Sequence, residues 1–114
     1  MAERTTRQIT GGNFQSPDGT PLALGYVTFR LNTDGVVPGT NAQVSAGVIT
    51  TAMLDSNGNI AGTVYLWPNS YLLPATVYII KAYTASGNLC WESENVIPSA
   101  GFGAFDIGTL IPLF

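Results

Sequence analysis

Apolar and polar residues alternate along several short runs of the chain, most regularly over residues 25–31. There Val27, Phe29 and Leu31 alternate with more polar neighbours. Successive side chains of a β-strand point to opposite faces, so this run predicts a strand with one buried face. Similar runs rich in Val, Ile, Thr, Tyr and Phe predict about seven strands, over residues 6–14, 25–31, 48–54, 60–66, 76–84, 89–94 and 104–107. No segment shows helical periodicity between helix caps, so we expect almost no helix.

Two of these strands carry further information about burial. Residues 77–80 are apolar on both faces, which predicts a central strand whose outer face is also covered. In the next strand Leu89 and Trp91 share one face, and the opposite face carries Cys90, Glu92 and Glu94. We therefore predict that Trp91 lies in the core.

Gly, Pro, Asn and Asp recur between the runs as turn signals. Residues 55–59 join the third and fourth predicted strands, and residues 85–88 join the fifth and sixth. Each connection is short enough for a hairpin in which Gly58 or Gly87 adopts positive φ. Residues 33–47 carry no strand pattern until their end, and we expect them to form the most irregular loop.

These elements predict an all-β domain built as a two-sheet sandwich. A chain of 114 residues supports one core. We divide it into an N-terminal arm, residues 1–8, and a single domain, residues 9–114, that ends in an apolar tail. The tail contains Leu110, Ile111, Leu113 and Phe114. We expect it to cover a sheet edge or a neighbouring subunit, because burial contributes about 1.5–3 kcal/mol for each large apolar side chain.

The composition indicates a surface that is poor in charge. Apolar residues make up 46% of the chain and charged residues 10%, against about 25% charged in a typical soluble domain. Such a surface favours coverage by other proteins or by copies of the same chain over a free monomer. The alternative is a neutral surface rich in Thr, Asn and Ser.

Charge and hydropathy also argue against several partners. The formal net charge is -3, whereas nucleic-acid binding needs clustered Lys and Arg, so we expect no nucleic acid. No run approaches the roughly 18 apolar residues of a membrane span, so we expect no membrane insertion. The first residues lack the pattern of a secretory signal, and the single cysteine, Cys90, cannot form an internal disulfide. Both features favour assembly in the cytoplasm; a processed secreted fragment is the alternative.

The residue types that most enzymes use are scarce. The chain has no histidine, which removes the usual general base and most zinc sites. Glu92 and Glu94, about 7 Å apart on one strand face, could serve a glycosidase, but we interpret them as a solvent-facing charged pair. A calcium-loop pattern that starts at Asp55 fails, because Ile60 stands where the pattern needs Gly and Leu66 where it needs a bidentate Glu, so residues 55–59 are interpreted as a turn. Residues 11–13 are interpreted as a bulge or a close backbone approach. We predict no enzyme, no metal and no cofactor.

One segment carries the residue types of a contact site. Trp67, Asn69 and Tyr71 place two large aromatic rings and an amide beside Pro68. Such a group can stack on a sugar or seat in a partner's pocket. The alternative, which we prefer, is that the aromatic rings fill one end of the sandwich.

Several short segments resemble known families. Residues 18–29 read DGTPLALGYVTF, which resembles the pattern that carboxypeptidase-regulatory-like or transthyretin-like modules carry after their first strand. The order and spacing of LDSNG (54–58), WPN (67–69), YIIKAY (78–83), SGNLCW (86–91) and IGTLIP (107–112) are similar to domains of tailed-phage virion proteins.

The resemblance implies an immunoglobulin-like or prealbumin-like sandwich that serves as a building block or adaptor of a phage tail, fibre or capsid surface. Its implied partners are other virion proteins and copies of itself, its implied location is the virion, and it implies no catalytic residues. Modules of this type also decorate bacterial surfaces, so a carbohydrate-binding or surface-binding module, with a host-surface glycan as ligand, is the alternative function.

Overall fold

The computed structural model describes residues 6–16, 18–39, 42–97 and 104–107. Within these ranges the chain is all-β, as the sequence predicts, with one short 3-10 turn at Asn69–Tyr71. None of the described residues forms a helix that is long and apolar enough to span a membrane. The strands are β1 (Arg7–Thr10), β2 (Tyr26–Leu31), β3 (Gly35–Val37), β4 (Ala42–Val44), β5 (Thr50–Met53), β6 (Val64–Leu66), β7 (Tyr78–Tyr83), β8 (Leu89–Asn95) and β9 (Phe105–Asp106).

The strands form two larger sheets and a hairpin. The four-stranded sheet has the order β5-β2-β7-β8, and all its neighbours are antiparallel. The three-stranded sheet has the order β6-β1-β9, in which β1 pairs antiparallel with β6 and parallel with β9. All seven predicted strands lie in these two sheets, so the sandwich prediction is confirmed.

The core joins both sheets through their inward-facing residues. Val27, Phe29 and Ile80 from the four-stranded sheet are fully buried together with Ile9 from β1. In β2 the buried residues alternate with partly exposed or exposed ones, as the period of two requires. The predicted central strand is also confirmed, because β7 lies between β2 and β8.

The expectation of an irregular loop at residues 33–47 is wrong. Strands β3 and β4 lie inside this segment and pair antiparallel with each other. Val37 is fully buried, and Val36 exchanges two backbone hydrogen bonds of 2.9 Å with Leu73. Each strand has only three residues, too few to show a clear alternation in the sequence.

Both predicted turns form hairpins, but only one of them joins two strands of the same sheet. Residues 85–88 connect the paired strands β7 and β8, and Gly87 has a φ of 92°. Residues 55–59 also form a tight turn, in which an Asp55 carboxylate oxygen accepts backbone N–H bonds from Asn57 and Asn59. An antiparallel bridge between Leu54 and Ile60 closes this turn as a hairpin, but β5 and β6 lie in different sheets, so the turn also carries the chain from one sheet to the other.

The first predicted strand ends earlier than expected, at Thr10. Gly11, Gly12 and Asn13 all adopt positive φ, and the Gly12 N–H donates to a carboxylate oxygen of Asp106 at 3.1 Å. A Cβ atom at Gly11 would meet this same carboxylate, so the close-approach interpretation of residues 11–13 is confirmed. The predicted arm overlaps the sheet, because residues 7 and 8 belong to β1.

The predicted faces of β8 are half right. Trp91 faces inward, is partly buried against the core and meets the Phe14 ring edge-on, with 5.2 Å between ring centroids. The register shifts between Ala82 and Tyr83, so that Trp91 lies opposite Ala82 while Leu89 lies opposite Tyr83. A bulge of this kind places one extra residue in a strand and reverses the faces beyond it. Leu89 is therefore exposed and lies on the opposite face from Trp91, not on the same face as predicted.

Candidate functional site

The segment of Trp67, Asn69 and Tyr71 follows β6 and enters the 3-10 turn. Asn69 is only 6% exposed, and its side chain is used inside the protein. The amide nitrogen donates to the Thr76 hydroxyl at 2.8 Å, and the amide oxygen accepts from the Ile97 backbone N–H at 2.7 Å. The amide therefore fastens the turn to two distant segments and is not presented to a ligand.

Trp67 and Tyr71 are partly buried and pack against the core. The Trp67 carbonyl accepts a hydrogen bond of 2.8 Å from the Tyr78 hydroxyl, and burial raises the pKa of Tyr78 well above its ordinary value. Trp67, Tyr65 and Val48 line a cleft of about 110 Å³. Ligand pockets usually measure about 300–1,000 Å³, so this cleft does not have the size of a sugar site.

The carboxylate pair lies on an edge strand. Glu92 and Glu94 are both exposed on β8, which has a sheet neighbour on one side only, β7, among the described residues. Cys90, at the bulge, is exposed, and its thiol donates to the Ala82 carbonyl at 3.3 Å. Burial of the sulfur raises the pKa of this thiol. No cluster of three or more potential metal-binding side chains occurs among the described residues.

A larger surface emerges on the side of the four-stranded sheet that faces away from the core. We call this surface the outer face and define it by the strand registers. Its first row crosses all four strands and is apolar or aromatic, and its other two rows are polar or charged except for Ile79. The rows are Met53, Tyr26, Tyr83 and Leu89; then Thr51, Thr28, Lys81 and Glu92; then Arg30, Ile79 and Glu94.

The apolar row leaves large side chains in water. Met53 is 56% exposed and Leu89 is 51% exposed, at the two ends of the row. Between them Tyr26 and Tyr83 stack face to face, with 4.7 Å between ring centroids and 16° between ring planes. Because the two rings stack on each other, one face of each ring is already covered and cannot stack on a sugar.

The charges of the outer face are separated by sign. Arg30 and Lys81 lie on the inner strands β2 and β7, and Glu92 and Glu94 lie on the edge strand β8. The face thus holds two of the chain's four basic residues and two of its seven acidic residues. Four of the eleven charged residues of the chain therefore lie on one side of one sheet.

Sequence reasoning missed the outer face because a row is defined by strand pairing. Tyr26 and Tyr83 are neighbours only through the register of β2 and β7. Leu89 joins the row only because of the bulge in β8. The one available signal was the outward-pointing set in β2, which includes Tyr26. The predicted tail residues Leu110, Ile111, Leu113 and Phe114 lie outside the described residues, as do residues 1–5 of the arm.

Comparisons with known proteins assign no family to this chain. No family model matches the chain, and no curated protein matches its sequence. The fold is an all-β sandwich, and its most distinctive surface is the outer face.

Proposed function

We propose that this chain is a non-catalytic assembly module that acts by binding other proteins through the outer face. The observation that carries the proposal is the apolar row, with Met53 and Leu89 each more than half exposed in a chain with few charges. Covering a half-exposed side chain of this size contributes about 1 kcal/mol, half the value for full burial. Contiguous exposed apolar residues with a polar border are typical of protein–protein contacts.

We further propose that the assembly is the virion of a tailed phage, where the chain is a structural or adaptor protein. The support is the resemblance of the segments between residues 54 and 112 to virion domains, together with the charge-poor composition. A virion protein is covered by neighbours for most of its life, so it needs fewer surface charges than a free monomer.

The test is incorporation into particles. Particles released from a host culture that carries the gene are purified on a density gradient, and peptides of this chain are quantified by mass spectrometry. We expect a fixed number of copies per particle, and a reduced number for Leu89→Ser. The matched control is Leu73→Ser, because Leu73 is similarly exposed but lies outside the outer face.

Two results would contradict this function. A chain that stays in the soluble fraction while particles form normally would remove the virion assignment. Equal incorporation of the Leu89→Ser and Leu73→Ser variants would remove the outer face as the contact surface.

A further inference from the structure

We propose that the outer face binds a second copy of this chain, with a two-fold axis that runs parallel to the strands between β7 and β8. This inference rests on the proposed function as an assembly module and names its partner. A two-fold axis of this kind lays the same face of both copies together and keeps their strands aligned, as in other packed sheets. It places β7 of each copy over β8 of the other.

The charges of the second row favour this axis. Lys81 and Glu92 are direct cross-strand neighbours on β7 and β8. With the axis between these strands, Lys81 of each copy lies opposite Glu92 of the other, so two opposite-charge contacts form. An axis along β7 would instead place Lys81 of one copy over Lys81 of the other, and like charges that face each other at an interface are unfavourable.

The same axis also matches the other two rows. In the first row, Tyr83 of each copy lies over Leu89 of the other, so exposed apolar side chains cover one another. In the third row, Glu94 of each copy lies over Ile79, next to Arg30 on the neighbouring strand. Adjacent strands are about 4.8 Å apart, which is within the reach of an arginine side chain. All four charges of the face therefore gain a partner of opposite sign.

Pairing through the edge of β8 is the competing way to form a dimer, and the sequence opposes it. An edge strand can add a strand of another copy, and charged side chains on the strand are a common protection. Glu92 and Glu94 are both exposed on β8. Two β8 strands side by side would bring four carboxylates together. Face-to-face packing avoids this because it sets the carboxylates over basic residues.

The size of the face predicts a weak dimer. With this axis only β7 and β8 of each copy overlap, and β2 and β5 extend beyond the contact. Two strands spaced about 4.8 Å apart and three rows of side chains cover roughly 200 Å² on each copy. This is about a quarter of the ~800 Å² that each partner contributes to a standard interface. We therefore expect dissociation at hundreds of micromolar, and a dimer that strengthens further when other virion contacts hold the copies together.

The experiment is sedimentation velocity of the full chain between about 10 μM and 1 mM at low salt, with two charge-reversal variants. Lys81→Glu sets Glu against Glu92 of the second copy, and Glu92→Lys sets Lys against Lys81. We expect each variant alone to dimerise at least about tenfold more weakly than the wild type, since like charges meet twice. An equimolar mixture of the two variants restores opposite charges at both contacts, and we expect it to dimerise within about threefold of the wild type.

The mixture distinguishes charge repulsion between the two copies from charge repulsion within one copy. Each variant also places like charges side by side on β7 and β8 of the same copy, and mixing cannot repair that. The controls are Thr63→Lys and Thr63→Glu, because Thr63 is exposed and lies outside the four-stranded sheet. We expect both controls to dimerise as the wild type does.

Three results would overturn the inference: a wild type that stays monomeric to about 1 mM, variants that dimerise normally, or a mixture that remains monomeric. None of these results bears on the proposed function, which is tested by incorporation into particles. Conversely, if the chain dimerises as expected but is absent from particles, the interface stands and the virion role is removed.

Discussion

The side chain of Asn69 should be one of the most important polar groups for stability. It is buried, and it joins the 3-10 turn to Thr76 and to the backbone of Ile97. The substitution Asn69→Ala removes both hydrogen bonds. The backbone bond of 3.0 Å from the Asn69 N–H to the Ile97 carbonyl remains, so the turn itself can still form.

The expected cost follows from the groups that lose their partners. A buried donor or acceptor without a hydrogen bond costs about 1–3 kcal/mol. Two such groups remain in Asn69→Ala, but the Thr76 hydroxyl can rotate towards another acceptor, so we expect a loss of about 2–4 kcal/mol. For a domain of this size, this corresponds to a fall in melting temperature of roughly 10–20 °C.

The assay is urea unfolding followed by tryptophan fluorescence, because Trp67 lies two residues from the substitution. Thr76→Val, which removes one hydroxyl and leaves one amide N–H without a partner, should cost about 1–2 kcal/mol. The control Asn57→Ala, in an exposed turn, should stay within about 0.5 kcal/mol of the wild type. If Asn69→Ala is as stable as the control, the buried amide does not hold these segments together.

Three further predictions concern the bulge and the turn after β1. Trp91→Ala should cost about 2–3 kcal/mol, less than the ~3–5 kcal/mol of a fully buried aromatic residue, because Trp91 is only partly buried; a thermal melt within about 1 °C of the wild type would contradict its inward position. Gly11→Ala should cost about 2–3 kcal/mol in urea unfolding, because φ is +70° and the new Cβ meets the Asp106 carboxylate. Gly62→Ala has a similar φ in open space, so it should cost only the backbone share, about 1 kcal/mol, and an equal loss in both variants would rule out the clash. Iodoacetamide should alkylate Cys90 more slowly in the folded chain than in urea at pH 8, because the raised pKa of the thiol lowers its thiolate fraction; equal rates would show that burial does not affect the sulfur.

The sequence predicts those parts of the fold in which local pattern and tertiary environment agree. The alternation in β2 identifies its buried face, and the apolar residues of β7 identify a central strand. Prediction from the sequence fails where the structure depends on a contact with residues that are far away along the chain. The β3–β4 hairpin is held partly by the backbone of Leu73, and nothing within residues 33–47 reveals that partner.

The same reason explains the outcome at the candidate site. The segment around Asn69 is recognisable from its residue types, but the use of its amide depends on Ile97, which lies 28 positions further along the chain. Leu89 has the right spacing to share a face with Trp91, and only the bulge reverses it. A one-residue irregularity in pairing has a large effect on a surface, because it changes which side chains face outward.

The place of β1 in the three-stranded sheet has a consequence for the order of folding. Its two neighbours, β6 and β9, come much later in the chain; Thr10 bonds to Phe105 across 95 positions and Gly12 to Asp106 across 94. During synthesis β1 leaves the ribosome early but cannot complete its sheet until residue 106 has emerged. Closing such long loops is slow, and an unpaired strand can join another chain meanwhile. The strands of the β7–β8 hairpin are close in sequence, so the four-stranded sheet should form first. It then provides the surface on which β1 packs until β6 and β9 pair with it.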